Sequence, residues 1–239
     1  MSISKIKQAL AAAGLAAAIA VPVSAQAATI ELALVLDASG SIDANGWALQ
    51  TGAYASALAS LLPTNGSVAV SVIRFGETAS VVRGMTVIDN AAALTDLTTF
   101  FTGLSQDGNG IFTCISCGIF EAEGTFTGDA GRKIIDVSTD GVWNRGVNPW
   151  GNSETEGTSA WAVEKGDATV VNAIGIGIMP DFAYGPDSFN MMAPGFGDFE
   201  ASLKTKLERE IFGEVPVPGA LALFGIGLLG LGLTRRRLA

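Results

Sequence analysis

The chain has 239 residues, with 14 Lys and Arg, 23 Asp and Glu, two Cys and no His, and its formal net charge is −9. The absence of His excludes Ser-His-Asp and Cys-His nucleophiles, HExxH zinc helices and imidazole proton shuttles. Five of the basic residues lie at the two ends of the chain: Lys5, Lys7, Arg235, Arg236 and Arg237. Because the part between them is strongly acidic, no basic patch can neutralise phosphates, which excludes a nucleic-acid partner.

Residues 1–27 have the three parts of a secretory signal peptide. Lys5 and Lys7 precede the apolar run Ala9–Ala20, and Ala25-Gln26-Ala27 supplies a small-residue cleavage sequence. This order predicts export, with cleavage at the end of the segment. A single N-terminal anchor helix is the alternative, although the apolar run is short for a membrane span.

Residues 215–239 form a second processing segment. A Pro-containing entry, Val215–Gly219, precedes the apolar stretch Ala220–Leu233 and then the three arginines Arg235, Arg236 and Arg237. The segment resembles the PEP-CTERM sorting signal of Gram-negative bacteria, in a VPxP variant with Pro216 and Pro218 and with Val217 where Glu is usual. The resemblance implies transient anchoring in the inner membrane, recognition by an exosortase-type protease, and a cell-surface or extracellular location. An ordinary C-terminal membrane anchor is the alternative.

The remaining residues, 28–214, have the size of one domain with a full core. Apolar runs predict strands at 29–36, 68–73, 79–83, 133–137 and 168–176. Helical spacing and capping residues predict helices at 42–62, 90–101, 113–120, 159–167 and 198–211, and 185–197 is predicted to be a loop. The alternation predicts an α/β, doubly wound, Rossmann-like fold. Its mostly parallel sheet is flanked by helices, and such sheets bind ligands at the carboxyl ends of their strands.

Oxygen-bearing side chains follow the predicted strands at this edge. Asp37, Ser39 and Ser41 come directly after the first strand, where alternate residues of an extended chain point to the same side. Asp140 follows a later strand, and Thr113 begins a predicted helix. Such hard donors suit Mg²⁺ or Mn²⁺, with Ca²⁺ as an alternative, and their neutral hydroxyls leave the ion able to accept a carboxylate from a partner. Taken singly, Asp37 and Ser39 also fit a cap of the helix that follows, and Asp140 fits a turn before Gly141.

At these residues the sequence resembles the von Willebrand factor type A (vWA) domain and its metal-ion-dependent adhesion site. The DxSxS element corresponds to Asp37, Ser39 and Ser41, the second-loop threonine to Thr113 and the third-loop aspartate to Asp140. The resemblance covers most of residues 29–212 and is closest to a bacterial family of exported vWA-like proteins. It implies that the serines and the threonine bind the metal directly and that the aspartates act through water.

Two cysteines, Cys114 and Cys117, follow the candidate metal ligand Thr113. In a first helical turn, Cα atoms three residues apart are about 5 Å from each other, which is within disulfide range. Export favours an oxidised pair, so the sequence predicts a local disulfide. A redox-active CxxC is the alternative, whereas a zinc site would need two further soft ligands.

The sequence therefore predicts a non-enzymatic, exported, cation-dependent adhesion or protein-binding domain. The expected partner is a protein or a surface polymer that supplies a carboxylate, and contact with membranes is confined to the terminal segments. Two alternatives remain: a structural envelope or biofilm protein whose metal only staples loops, and a metal-assisted hydrolase, for which no separate general base is evident. Trp143 and Trp150 are interpreted as packing residues that could also line a ligand surface.

Overall fold

Six strands form one sheet in the computed structural model, which describes residues 28–106, 110–128 and 130–213. The strands are β1 (Ile30–Asp37), β2 (Val68–Phe75), β3 (Ala79–Val87), β4 (Arg132–Thr139), β5 (Val170–Ile176) and β6 (Asn190–Ala193). Their order in the sheet is β3-β2-β1-β4-β5-β6. Only the β2–β3 pair is antiparallel. The predicted α/β fold with a mostly parallel sheet is confirmed.

Helices cover both faces of this sheet. They are α1 (Ala44–Leu61), α2 (Ala91–Gly103), α3 (Ile115–Glu123), α4 (Ser159–Glu164) and α5 (Phe196–Phe212). Helices α1, α2 and α5 pack on one face, and α3 and α4 pack on the other. Within the described ranges, no helix has both the length and the apolar character that a membrane span requires.

The central strand β1 contributes to two hydrophobic cores. Leu32, Leu34 and Leu36 pack with α1, α2 and α5, whereas Ala33 and Val35 face α3 and α4. Side chains alternate between the two faces of a strand, so a strand covered on both faces needs an uninterrupted apolar run. Each fully buried Leu or Val contributes about 1.5–3 kcal/mol of transfer free energy. The two cores together hold the carboxyl end of β1 in a fixed position.

Helix α3 lies unusually close to the sheet. A Cβ atom added at Gly118 would lie 2.6 Å from Val35 Cγ1 and 3.1 Å from the Phe75 ring. Only glycine permits this approach, because larger side chains would overlap with the core. The close packing positions the start of α3, and the segment just before it, against the carboxyl ends of β1 and β2.

Several elements differ from the sequence prediction: β3 extends to Val87 instead of ending at residue 83, and α4 ends at Glu164 instead of at residue 167. Strand β6 lies inside the segment that was predicted to be a loop; it has four residues, of which two are exposed and one is buried, and it pairs with β5. Such a short edge strand has too few buried positions to produce a recognisable alternation. In addition, α3 begins at Ile115 rather than at Thr113, which lies in the loop before the helix.

A cluster of charged side chains is buried beneath α5. The Lys206 ammonium lies 2.8 Å from Asp136 Oδ2 and 2.5 Å from Glu210 Oε1, and all three side chains are fully buried. Asn172 Nδ2 donates to the same Glu210 oxygen at 2.9 Å. Burial, reinforced by the neighbouring Asp136 charge and opposed by Lys206, raises the pKa of Glu210 to about 8. Burial beside Asp136 therefore favours the protonated form of Glu210.

Candidate metal site

Asp37 lies at the buried bottom of the candidate site. It is the last residue of β1 and has no exposed surface. Its Oδ1 accepts a hydrogen bond from the Ser39 amide at 2.8 Å, and its Oδ2 accepts one from Thr139 Oγ1 at 2.6 Å. Burial raises the pKa of Asp37 to about 6, and the charge of Asp140 adds to this, whereas the hydrogen bonds from Thr139 and Ser39 oppose it. The hydrogen bonds thus fix the carboxylate in place but offset only part of the cost of burying its negative charge.

The other four predicted residues form one chain of hydrogen-bonded oxygens. Thr113 Oγ1 donates to Ser39 Oγ at 3.2 Å, and Ser39 Oγ lies 3.0 Å from Ser41 Oγ. Ser41 Oγ donates to Asp140 Oδ1 at 2.6 Å. Ser39 and Thr113 are buried, whereas Ser41 is exposed and Asp140 is half-buried. The structure therefore brings together side chains from three loops at the carboxyl edge of the sheet, with one side open to solvent.

The cap and turn alternatives do not account for these residues. The N-cap of α1 is Asp43, whose carboxylate accepts from the Gly46 amide at 2.7 Å. The Gly141 amide donates to Thr139 Oγ1 at 3.2 Å, so the side chain that closes this turn is Thr139 rather than Asp140. Asp140 instead reaches across to the first loop.

The second and third loops are tied together at Thr113. The Thr113 amide donates to Asn144 Oδ1 at 2.8 Å, and the Thr113 carbonyl accepts from the amides of Asn144 and Arg145 at 3.1 Å and 3.3 Å. The first loop joins them through the Gly40 amide, which donates to the Ile111 carbonyl at 2.9 Å. Protein contacts alone therefore connect all three loops.

A disulfide lies directly behind Thr113. Cys114 and Cys117 are bonded, with their Cα atoms 5.2 Å apart. A Cβ atom at Gly146, whose φ is +76°, would lie 2.5 Å from Cys114 Sγ. The third loop thus packs on the disulfide, and glycine is required there both for space and for the left-handed backbone.

Sequence reasoning missed three residues that support the site. They are Thr139, which holds Asp37; Asn144, which holds Thr113; and Gln50, whose Nε2 donates to the Asp37 carbonyl at 2.9 Å. The sequence signal for Thr139 was a hydroxyl side chain at the end of a strand. In the sheet, Leu36 pairs with Ser138, which places Thr139 beside Asp37. Asn144 and Gln50 carry no local signal, because their roles depend on tertiary contacts.

The residues present fit a hard divalent cation. Within the described residues, no group of three or more His, Cys, Asp and Glu side chains is placed to hold a metal. This is consistent with the composition of the site, which has only two carboxylates and three hydroxyls. Gly141 leaves room beside them, because a Cβ atom there would be 3.9 Å from Thr113 Oγ1 and 4.0 Å from Ser41 Oγ. An all-oxygen set around a buried acidic group matches the preference of Mg²⁺, Mn²⁺ or Ca²⁺.

The arrangement of sheet, helices and loops defines a vWA-like α/β fold, and comparison with solved structures supports this. Proximal thread matrix protein 1 (PTMP1) from the mussel byssus is similar to the chain at 18% identity and a TM-score of 0.57, over 79% of this chain and 49% of that one. A second structure of PTMP1, with a zinc-occupied metal-ion-dependent adhesion site (MIDAS) motif, matches at 19% identity and a TM-score of 0.58, over 76% and 46%.

The pilus adhesin SpaC from Lactobacillus rhamnosus GG, in an open conformation, matches at 17% identity and a TM-score of 0.55, over 77% of this chain and 30% of that one. An aerotolerance-related membrane protein from Bacteroides fragilis matches at 17% identity and a TM-score of 0.53, over 76% and 98%. The chain spans about half the length of PTMP1 and less of SpaC.

The sequence comparisons identify the family. The model of the family described as "Protein of unknown function (DUF1194)" matches residues 26–215, and the chain belongs to this family. The PEP-CTERM protein-sorting motif matches residues 214–237. This motif implies export in a Gram-negative bacterium and processing by an exosortase. No curated protein sequence matches the chain.

Proposed function

We propose that this protein is an exported, divalent-cation-dependent adhesion or protein-binding domain that acts at the cell surface or in the extracellular matrix. The observation that carries the proposal is the chain of oxygens from Thr113 through Ser39 and Ser41 to Asp140, with links of 2.6–3.2 Å, above the buried Asp37. The solved structures with a similar fold include a pilus adhesin and a thread matrix protein, which is consistent with this role.

The proposed cation ligands are Ser39, Ser41 and Thr113, with Asp37 and Asp140 in supporting positions. When bound, the cation would supply positive charge to an acidic group of the partner, because three of the five side chains are neutral. Ser41 and Asp140 form the accessible side of the site, so the partner would approach over them.

The contacts between the loops favour a binding role over a structural staple. Asn144 and Arg145 hold the Thr113 backbone, and Gly40 binds the Ile111 carbonyl. Since the protein itself joins the three loops, a cation is not needed to hold them together. An enzymatic role has less support, because the sequence has no His and the carboxylates of Asp37 and Asp140 belong to the proposed cation site itself.

Replacement of Asp140 with Ala tests the site. We expect the affinity for Mg²⁺ or Mn²⁺ to fall at least tenfold, about 1.4 kcal/mol, because one of the two carboxylates is lost. Isothermal titration calorimetry of the purified protein measures the affinity directly, and circular dichroism checks that the fold is retained. Asp89→Ala, which removes an exposed carboxylate elsewhere, is the matched control. An unchanged isotherm for Asp140→Ala would overturn the assignment, and loss of the fold upon cation removal would favour the staple.

A further inference from the structure

Exposed apolar side chains surround the candidate metal site. Ile111 is 70% exposed and lies two residues before Thr113, and Val142 is 64% exposed and lies two residues after Asp140. Met179, in the loop after β5, is 57% exposed. Single exposed apolar residues are common, but a group of them around a polar site is typical of an interaction surface.

A small cavity opens beside the same site. Its volume is about 160 Å³, and its walls combine the apolar side chains of Val142, Trp143, Met179 and Phe182 with the polar side chains of Thr139, Asn148 and Asp181. The cavity also shares Thr139 with the candidate site, and Thr139 binds the buried carboxylate of Asp37. A cavity of about 150 Å³ is large enough for one six-membered ring. The space therefore fits one apolar side chain of a partner whose acidic group is at the metal site.

The spacing suggests where that side chain lies in the partner. Gly141 contributes to the cavity wall, and a Cβ atom on it would be within 4.0 Å of both Thr113 Oγ1 and Ser41 Oγ. The candidate metal site and the cavity are therefore close neighbours. In an extended peptide, residues two apart point to the same face and lie about 6.6 Å from each other.

The charge and chemistry of this surface favour a protein over an acidic polysaccharide. Aliphatic side chains such as those of Ile111, Val142 and Met179 stabilise a complex by burying apolar surface of the partner. A polysaccharide, which is covered with hydroxyl groups, has little such surface. Asp181 also lies on the cavity wall, and the chain carries 23 acidic against 14 basic residues. A polyanion would be repelled by this charge, whereas a segment with a single carboxylate is tolerated.

We propose that the rim and cavity recognise an extended peptide segment of a partner protein, with an acidic residue at the metal site and, two residues away, an aromatic or branched apolar side chain in the cavity between Trp143 and Met179. This inference rests on the proposed function, because the acidic residue is held by the cation.

The test uses the exported chain purified from its host and synthetic peptides of the form Gly-Asp-Ser-Phe-Gly. With Mg²⁺ present, we expect this peptide to bind at least tenfold more tightly than versions with Ala in place of Phe or Asn in place of Asp. Met179→Ser should reduce the preference for Phe over Ala to less than threefold while Mg²⁺ affinity stays unchanged. Met192→Ser is the matched control, because Met192 is 43% exposed and does not line the cavity.

The outcomes separate this inference from the proposed function. Absence of Mg²⁺ binding in a calorimetric titration without peptide would overturn both. If Mg²⁺ binds but the Phe and Ala peptides bind equally, or none binds, the peptide assignment is wrong while the cation site stands. Tighter binding of polygalacturonate than of the Phe peptide would show that the partner is an acidic polysaccharide. Loss of the Phe preference in Met179→Ser but not in Met192→Ser would support the cavity.

Discussion

Glu210 is a buried acid whose surroundings shift its pKa. Its carboxyl is buried with that of Asp136, and the ammonium of Lys206 pairs with both. Burial of an acid beside another acid favours the protonated form, and the pKa of Glu210 is accordingly raised from 4.5 to about 8. The folded state therefore binds more protons than the unfolded state between these two values.

This proton uptake predicts the direction of the pH dependence. The stabilising contribution of protonated Glu210 is complete below pH 4.5 and is lost as the pH rises through about 8. Glu210→Gln keeps a neutral group in place at every pH. The free energy of unfolding of this variant, minus that of wild type, should therefore grow as the pH rises from 5 to 9, by on the order of a few kcal/mol. Urea unfolding at several pH values measures this. Glu208→Gln, an exposed change on the same helix, should show no such trend, and an equal trend in both variants would contradict the assignment.

The buried residues of this cluster also show the limit of sequence reasoning at the residue scale. The face of α5 formed by Phe199, Leu203, Leu207 and Ile211 was predicted and is buried. Burial of Lys206 and Glu210 does not follow from the helical pattern, because charged residues on an amphipathic helix usually face solvent. The available signals were Asp136 and Asn172, each of which lies between apolar residues in the middle of its strand.

At the scale of elements, the close packing of α3 on the sheet depends on Gly118. A Cβ atom there would lie 2.6 Å from Val35 Cγ1, which is closer than real side-chain contacts permit. Gly118→Ala should therefore lower the free energy of unfolding by about 1–3 kcal/mol, because the core must shift to accommodate it. The urea midpoint at constant m measures the change.

Gly52 offers the opposite case within α1 and serves as the control. It is exposed, and a Cβ atom there would have no neighbour within 4 Å. Gly52→Ala should raise the free energy of unfolding by about 0.5–1 kcal/mol, because alanine loses less backbone entropy in a helix. A stabilising effect of both substitutions would show that α3 has room to move away from the sheet.

The helices and strands differ in how well the sequence predicted them. Central strands and long helices were found because burial on both faces or on one helical face leaves a strong pattern, as in β1 and α1. Strand β6 was missed because it is a short edge strand with little burial. The convergence of the three loops was predicted from the rule that parallel strands end at one edge, whereas the contacts that hold them, such as that of Asn144 with Thr113, depend on the folded chain.

For the whole molecule, the two terminal segments lie outside the described residues 28–106, 110–128 and 130–213. The sorting motif at residues 214–237 begins one residue after Gly213, the last described position, which follows the end of α5. Because α5 packs on the core through Phe199, Leu203 and Leu207, cleavage beyond it would leave the domain intact.

We predict that the mature protein lacks both the N-terminal segment, residues 1–27, and the C-terminal tail. Lys5 and Lys7 before a short apolar run motivate the first cleavage, and the order of Pro216 and Pro218, the apolar stretch and the arginines motivates the second. Intact-mass analysis of protein released by the native host should therefore show the loss of two segments. Replacing Arg235, Arg236 and Arg237 together with Ala should leave the tail attached, because the basic end that keeps it on the cytoplasmic side is removed. Replacement of the exposed Arg145 and Lys165 within the domain with Ala is the control and should not affect tail removal. Recovery of the wild-type chain in washed membranes with its tail intact would show instead that the segment is a permanent anchor.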